Sequence, residues 1–238
     1  MFFVVKRHTL IIFSLVLAVS LGTAAYFSGT AARPAFSASE QGRTVYVLDA
    51  GHGGEDGGAV SASGDKESDV NLAVTLRLDA LLRFLGRETV LTRDADTSIH
   101  SDSAETLRQK KRSDLQNRVA LVNAVPGAVL VSIHQNSLPT VPSVHGAQVF
   151  HGTVEPGGEV ALSVQAALNQ SVNIGNEKHE KKIDPSIYLM KNVTCPAILV
   201  ECGFLSNASE AARLQTPEHQ KLLSVAIAAG LLNTGEVP

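Results

Sequence analysis

From Thr44 onward, short runs of β-branched and apolar residues alternate with longer stretches of helical spacing. The runs at 44–48 (TVYVL), 88–91, 128–133 (AVLVSI), 146–150, 187–190 and 197–200 (AILV) predict strands. Residues 69–85 carry Val70, Leu72, Val74, Leu76, Leu78, Leu81, Leu82 and Leu85 without a breaker, which predicts a helix closed by Gly86. Leu115, Val119 and Val122 give 114–123 helical spacing, and 159–172 also reads as a helix. Thr216-Pro217-Glu218 starts the last helix, with threonine as N-cap, proline at the first helical position and glutamate at the positive end of the dipole; it runs to about Leu232. Residues 92–113 form a long polar connection, of a kind more often functional than inert. Strands alternating with helices imply a single α/β domain, a mostly parallel central sheet with helices on both faces.

The N-terminus breaks this pattern. Lys6, Arg7 and His8 precede a mostly apolar run from Leu10 to Phe27, so residues 1–27 read as a signal peptide or an uncleaved membrane anchor. Residues 28–42, rich in Gly, Ala, Ser and Pro, read as a linker, leaving 43–238 for one catalytic-sized domain without a repeat or second module. The 238 residues are 44% hydrophobic and 18% charged with a net charge of −3, which excludes a disordered chain and speaks against a nucleic-acid binder. The densest basic cluster, Arg108, Lys110, Lys111 and Arg112, reads first as a solvated loop or helix start and only second as an attraction for an anionic polymer. Cys195 and Cys202 flank a strand that would hold their sulfurs roughly 20 Å apart, too far for a disulfide.

Three of the most apolar strands run straight into a reactive residue. TVYVLDAG leads to His52, AVLVSI to His134 and AILV to Glu201. Ligands of open α/β sheets bind beyond the carboxyl ends of the strands, so parallel neighbours would bring these three together. Two imidazoles at such ends suggest zinc, whose catalytic sites offer three protein ligands and keep one position for water. Glu67 is the natural third ligand, although spacing equally allows a first-turn glutamate that stabilises its helix. Glu201 would be costly to bury unpaired; beside a metal-activated water it suits a general base, and the bland alternative is an ion pair with an arginine such as Arg118. His100, His145, His151, His179 and His219 read as surface or structural, and Asp94 with Asp96 as an exposed acidic turn.

Four blocks in order, DAGHGG (49–54), ESDVNL (67–72), SIHQNS (132–137) and VECGFLSN (200–207), resemble the zinc N-acetylmuramoyl-L-alanine amidases of the Amidase_3 type. The resemblance spans about Thr44 to Leu232, and IYLMKNVT (187–194) is similar to the sporulation- and germination-specific branch that acts on spore cortex. It implies that His52, Glu67 and His134 hold Zn2+, that Glu201 is the catalytic glutamate, and that peptidoglycan is cut between the lactyl group of N-acetylmuramic acid and L-alanine, outside the cytoplasmic membrane. Ala50 stands where the family often has proline. Asn136 and Arg118 lie in family-like blocks as candidates for orienting substrate or supporting the site. An extracytoplasmic lipoprotein partner, a membrane contact through the N-terminal segment, and no nucleic-acid partner complete the expectation. The rival readings are another zinc peptidoglycan hydrolase (a carboxypeptidase or a deacetylase), an amidase of general wall turnover, and a non-catalytic peptidoglycan-binding protein.

Overall fold

A computed structural model describes residues 44–235; the expected leader at 1–27 and linker at 28–42 lie outside them. The chain runs β1 (Val45–Ala50), α1 (Glu67–Phe84), β2 (Glu88–Leu91), α2 (Leu107–Asn123), β3 (Ala128–Asn136), β4 (Gln148–His151), α3 (Gly157–Ser171), β5 (Lys181–Lys182), α4 (Tyr188–Asn192), β6 (Ala197–Phe204), α5 (Ala208–Leu214) and α6 (Pro217–Asn233). The six strands lie in the order β2-β1-β3-β6-β4-β5. The first four in that order are parallel, and only the β4–β6 pairing is antiparallel. This is the α/β architecture expected.

The sheet is covered on both faces, and strand alternation sorts its residues between them. Tyr46 and Leu48, Val129, Val131 and Ile133, and Ile198 and Val200 share one core with α1, α3 and α6. Val47, Ala128 and Leu130, and Ala197 and Leu199 share the other with Val122 of α2 and with Leu189 and Met190 of α4. Within the larger core α3 and α6 come close together because position 230 is glycine: a Cβ there would stand 2.4 Å from Val164 Cα.

Several elements depart from the expectation, each for a local reason. Residues 187–190 are not a strand. Ser186 N–H donates to the Asp184 carboxylate and Ile187 N–H to the Asp184 carbonyl, and the turn rolls directly into α4, which buries Leu189 and Met190 in the smaller core. A short apolar run suits a half-buried helix turn as well as a strand. Helix α2 begins seven residues before the expected 114, at Leu107, because Thr106 and Gln109 form a capping box. Helix α5 and the two-residue β5 were not foreseen. The cap of α6 is as expected: Thr216 accepts from His219 N–H, with Pro217 in the first turn. Both cysteines are free.

Candidate metal centre

Register explains why the strand-end residues meet. Asp49 lies opposite Ser132, Ser132 opposite Leu199, and His134 opposite Glu201. Leu199 belongs to the smaller core, so Asp49, Ser132, His134 and Glu201 all project to the face covered by α2 and α4. His52 follows two residues beyond β1 with φ 62°, a left-handed conformation rare outside glycine. Two buried arginines hold that bend by its carbonyls. Arg118 donates to Ala50 O at 2.8 Å and His52 O at 2.7 Å, while Arg93 donates to Ala50 O at 2.8 Å and Gly51 O at 3.1 Å.

Ligand atoms of His52, Glu67 and His134 lie within 4.8 Å of one another. Glu67 opens α1, and its carboxylate is oriented by Ala59 N–H at 2.9 Å, Gln135 N–H at 3.1 Å and the Asn71 amide at 3.3 Å. Its oxygens face His134 Nδ1 at 2.9 Å and His52 Nε2 at 3.3 Å. His52 turns its other nitrogen to Asp56 at 2.9 Å, the carboxylate–histidine arrangement that orients a metal ligand from behind. The His134 ring packs against Gly51, where a Cβ would stand 2.3 Å from it.

The electrostatics suit a group that could hold a cation. Burial works against charge on His52, but Asp56 and Glu67 carry its imidazole up to about 9. Burial likewise opposes the Glu67 carboxylate, yet His134 and His52 hold it well below the usual carboxylate range. A divalent ion can replace the protons shared in these contacts. Glu201 differs: burial, joined by the negative charge of Glu67 and opposed by the histidines, pushes it up to about 7. Its Oε2 is buried with no hydrogen-bond partner. An orphaned carboxylate oxygen on the cavity that also contains both histidines and Glu67 fits a site completed by a metal and a reacting water.

The two weaker candidates also line this cleft of about 520 Å³. Arg118 is 2% exposed and spends its donors on Asp114, Asp49 and the β1 carbonyls. That makes it a support of the His52 bend and rules out the Arg118–Glu201 ion pair as the resting contact of either residue. Asn136 is partly exposed, and its side-chain oxygen accepts from Ser137 N–H at 2.8 Å. Asp49, Asp56, Asn71 and Arg93 were not anticipated. Asp49 had a legible signal, a carboxylate inside the apolar run VYVLDA; the others depend on contacts across the fold. His100, His145 and His151 are outside the triad and hydrogen-bond to Ser98, Asn176 and the Gly152 carbonyl, and Asp96 accepts from Gly54 N–H.

Fold and site together define a class: single-domain α/β proteins with a candidate metal triad at the carboxyl edge of a mostly parallel sheet. The chain belongs to the N-acetylmuramoyl-L-alanine amidase family (Amidase_3), which it matches over residues 47–233. It is 37% identical over 193 residues to the germination-specific N-acetylmuramoyl-L-alanine amidase of Bacillus subtilis, covering 80% of this chain and 79% of that protein. Among solved structures it resembles the CwlD amidase of Clostridioides difficile in complex with the GerS lipoprotein, with TM-score 0.76, 34% identity, and coverage of 80% of this chain and 98% of that one. The AmiC2 amidase of Nostoc punctiforme gives TM-score 0.68 at 32% identity, covering 80% and 96%. The carboxypeptidase, deacetylase and non-catalytic readings thus give way to an amidase of cell-wall peptidoglycan.

Proposed function

We propose that the chain is a zinc amidase that removes stem peptides from spore-cortex peptidoglycan outside the cytoplasmic membrane. The observation that carries the chemistry is the triad His52, Glu67 and His134 within 4.8 Å beside the unpartnered Glu201 carboxylate. Two imidazoles and one carboxylate are a zinc-type donor set, and His52, Glu67 and His134 would hold the ion. Bound there, zinc supplies Lewis acidity toward a carbonyl and a water.

The remaining work falls to this chain's residues. Asp56, Asn71 and the amides of Ala59 and Gln135 fix the ligands so that little reorganises on binding. Glu201, poised near neutrality, takes the proton of the water that attacks the lactyl carbonyl. It returns that proton to the nitrogen of the departing L-alanine. Asn136 lines the cleft and would hydrogen-bond substrate, while Arg118 keeps the His52 bend in shape.

The cortex setting rests on the likeness to the germination-specific amidase of Bacillus subtilis. The solved complex of the CwlD amidase with GerS motivates an extracytoplasmic lipoprotein partner for this chain too. The location outside the membrane rests on residues 1–27 read as signal or anchor; among the described residues no helix is long and apolar enough to cross a membrane.

The test is purified protein, with and without zinc, on defined cortex peptidoglycan, with the products weighed. Intact stem peptides freed from glycan are expected; loss of one D-alanine or one acetyl group overturns the reading. Glu201→Ala should lower kcat at least 100-fold, as loss of a general base does, while zinc content stays full. His134→Ala should lose its zinc on dialysis, and a full metal complement there would remove His134 from the ligand set.

A further inference from the structure

The cleft does not end at the metal triad. It continues into a groove of about 250 Å³ between α2 and α4, and the two depressions share Lys111, Leu115 and Tyr188. Its wall is apolar, made of Leu115, Tyr188 and the aliphatic stems of Arg108, Lys111 and Arg112, whose cationic heads stand at i, i+3 and i+4 on one face of α2. Lys111 reaches the Asp56 carboxylate at 3.1 Å. Arg108 and Arg112 are exposed and, among the described residues, have no hydrogen bond or ion pair.

Such a placement is unfavourable on its own terms. Like charges three and four residues apart repel, and cations near a helix N-terminus oppose the dipole; the first turn of α2 holds no acidic residue to relieve either effect. Asp56 offsets Lys111, but among the described residues nothing offsets Arg108 and Arg112, and a local rule broken there points to compensation from outside the protein. Tyr188 adds an apolar ring with a polar tip, 39% exposed, on the opposite side of the same groove.

We propose that this groove is a subsite for free carboxylates on the peptide stem, with Arg108 and Arg112 as the residues that recognise them. The inference rests on the amidase reading, because it identifies the substrate. In that substrate the lactyl carboxyl is consumed in the scissile amide, so the free carboxylates sit on the peptide's acidic residues and C-terminus. A guanidinium suits a carboxylate through paired N–H donors. The groove opens from the cavity that holds Glu201, so a peptide attached at the scissile nitrogen can lie along it.

The test uses a soluble stem peptide with its acidic carboxyls free and the same peptide with them amidated. By calorimetry, the zinc-loaded protein should bind the acidic peptide on the order of tenfold more tightly than the amide, a preference that rising ionic strength erases. The double variant Arg108→Gln/Arg112→Gln, altered only at exposed positions, should keep or slightly raise its Tm, since the two charges repel each other and oppose the helix dipole, and should lose that preference. With the matching muropeptides, the wild-type preference should fall in KM rather than kcat, and the variant's acid-to-amide ratio of kcat/KM should approach one. Lys221→Ala, which removes a charge from α6 on the other face of the sheet, should leave the ratio as in wild type. Equal binding of the two peptides by wild type, or an unchanged preference in the double variant, overturns the subsite. Correct amidase products without discrimination would sink the subsite alone, whereas products of the wrong mass would sink the amidase reading whatever the peptides do.

Discussion

Gly51 shows how much of the site depends on one missing atom. His134 rests where the Cβ of any other residue would stand, 2.3 Å from its Cε1 and Nε2. Gly51→Ala should therefore leave the core intact and displace the imidazole, weakening metal binding at the candidate triad by about tenfold or more; metal titration followed by dialysis, alongside circular dichroism, checks it. Asp49 is the buried counterpart. Its carboxylate accepts from Ser132 and Thr92 hydroxyls at 2.7 and 2.8 Å and pairs with Arg118 at 2.6 Å. Asp49→Asn would leave Arg118 short of a counter-charge in the interior and should cost about 3–5 kcal/mol in urea unfolding. A cost under 1 kcal/mol would mean that Asp114 alone satisfies the arginine.

At the scale of elements, each helix is placed by its ends as much as by its apolar face. Helix α6 packs on α1 and α3 and starts at Thr216, whose side chain accepts from His219 N–H. Thr216→Ala removes that acceptor and should cost about 1 kcal/mol, a fall of roughly 2–4 °C in Tm, with catalysis unaffected. Differential scanning calorimetry reads the first and muropeptide turnover the second. Helix α4 carries the opposite lesson. Its five residues have no side-chain cap and no length to be stable alone. They are helical because the Asp184 turn launches them and the smaller core receives Leu189 and Met190.

Over the whole molecule, the cost of the site appears as a dependence on acidity. Burial alone would raise the Asp49 carboxyl; Arg118, Ser132, His134 and Thr92 outweigh it and bring the group from the ordinary 3.8 down to about 2. A carboxyl depressed in the folded state stabilises it above the unfolded value and stops doing so as pH falls through the folded one. Stability of about 2 kcal/mol should thus be present above about pH 4 and drain away toward pH 2. Urea melts across that window should show a decline in wild type that is shallower by Asp49's share in Asp49→Asn, the remainder belonging to carboxyls such as Glu67 that are also depressed. An identical slope in both would place the acid sensitivity elsewhere.

The chain's own order carried much of this. Apolar strands that each end in a reactive residue made His52, His134 and Glu201 legible, because parallel strands expose their carboxyl ends on one edge whatever their exact neighbours. Thr216-Pro217 announced α6 because capping is local chemistry. Glu67 stayed open between metal ligand and first-turn glutamate, since both need the same residue at the same helix start; its facing of His134 and its bond from Gln135 N–H are contacts between segments more than sixty residues apart. Residues 187–190 were misread because a four-residue apolar run has no period long enough to choose helix from strand. The arginine frame of Arg93 and Arg118, and the groove that joins Arg108 and Arg112 to the cleft, arise only once β1, α2 and α4 are packed side by side. Local propensity and pattern act within a few residues and can be read along the chain, whereas register, facing and shared cavities join segments tens of residues apart and exist only in the folded protein.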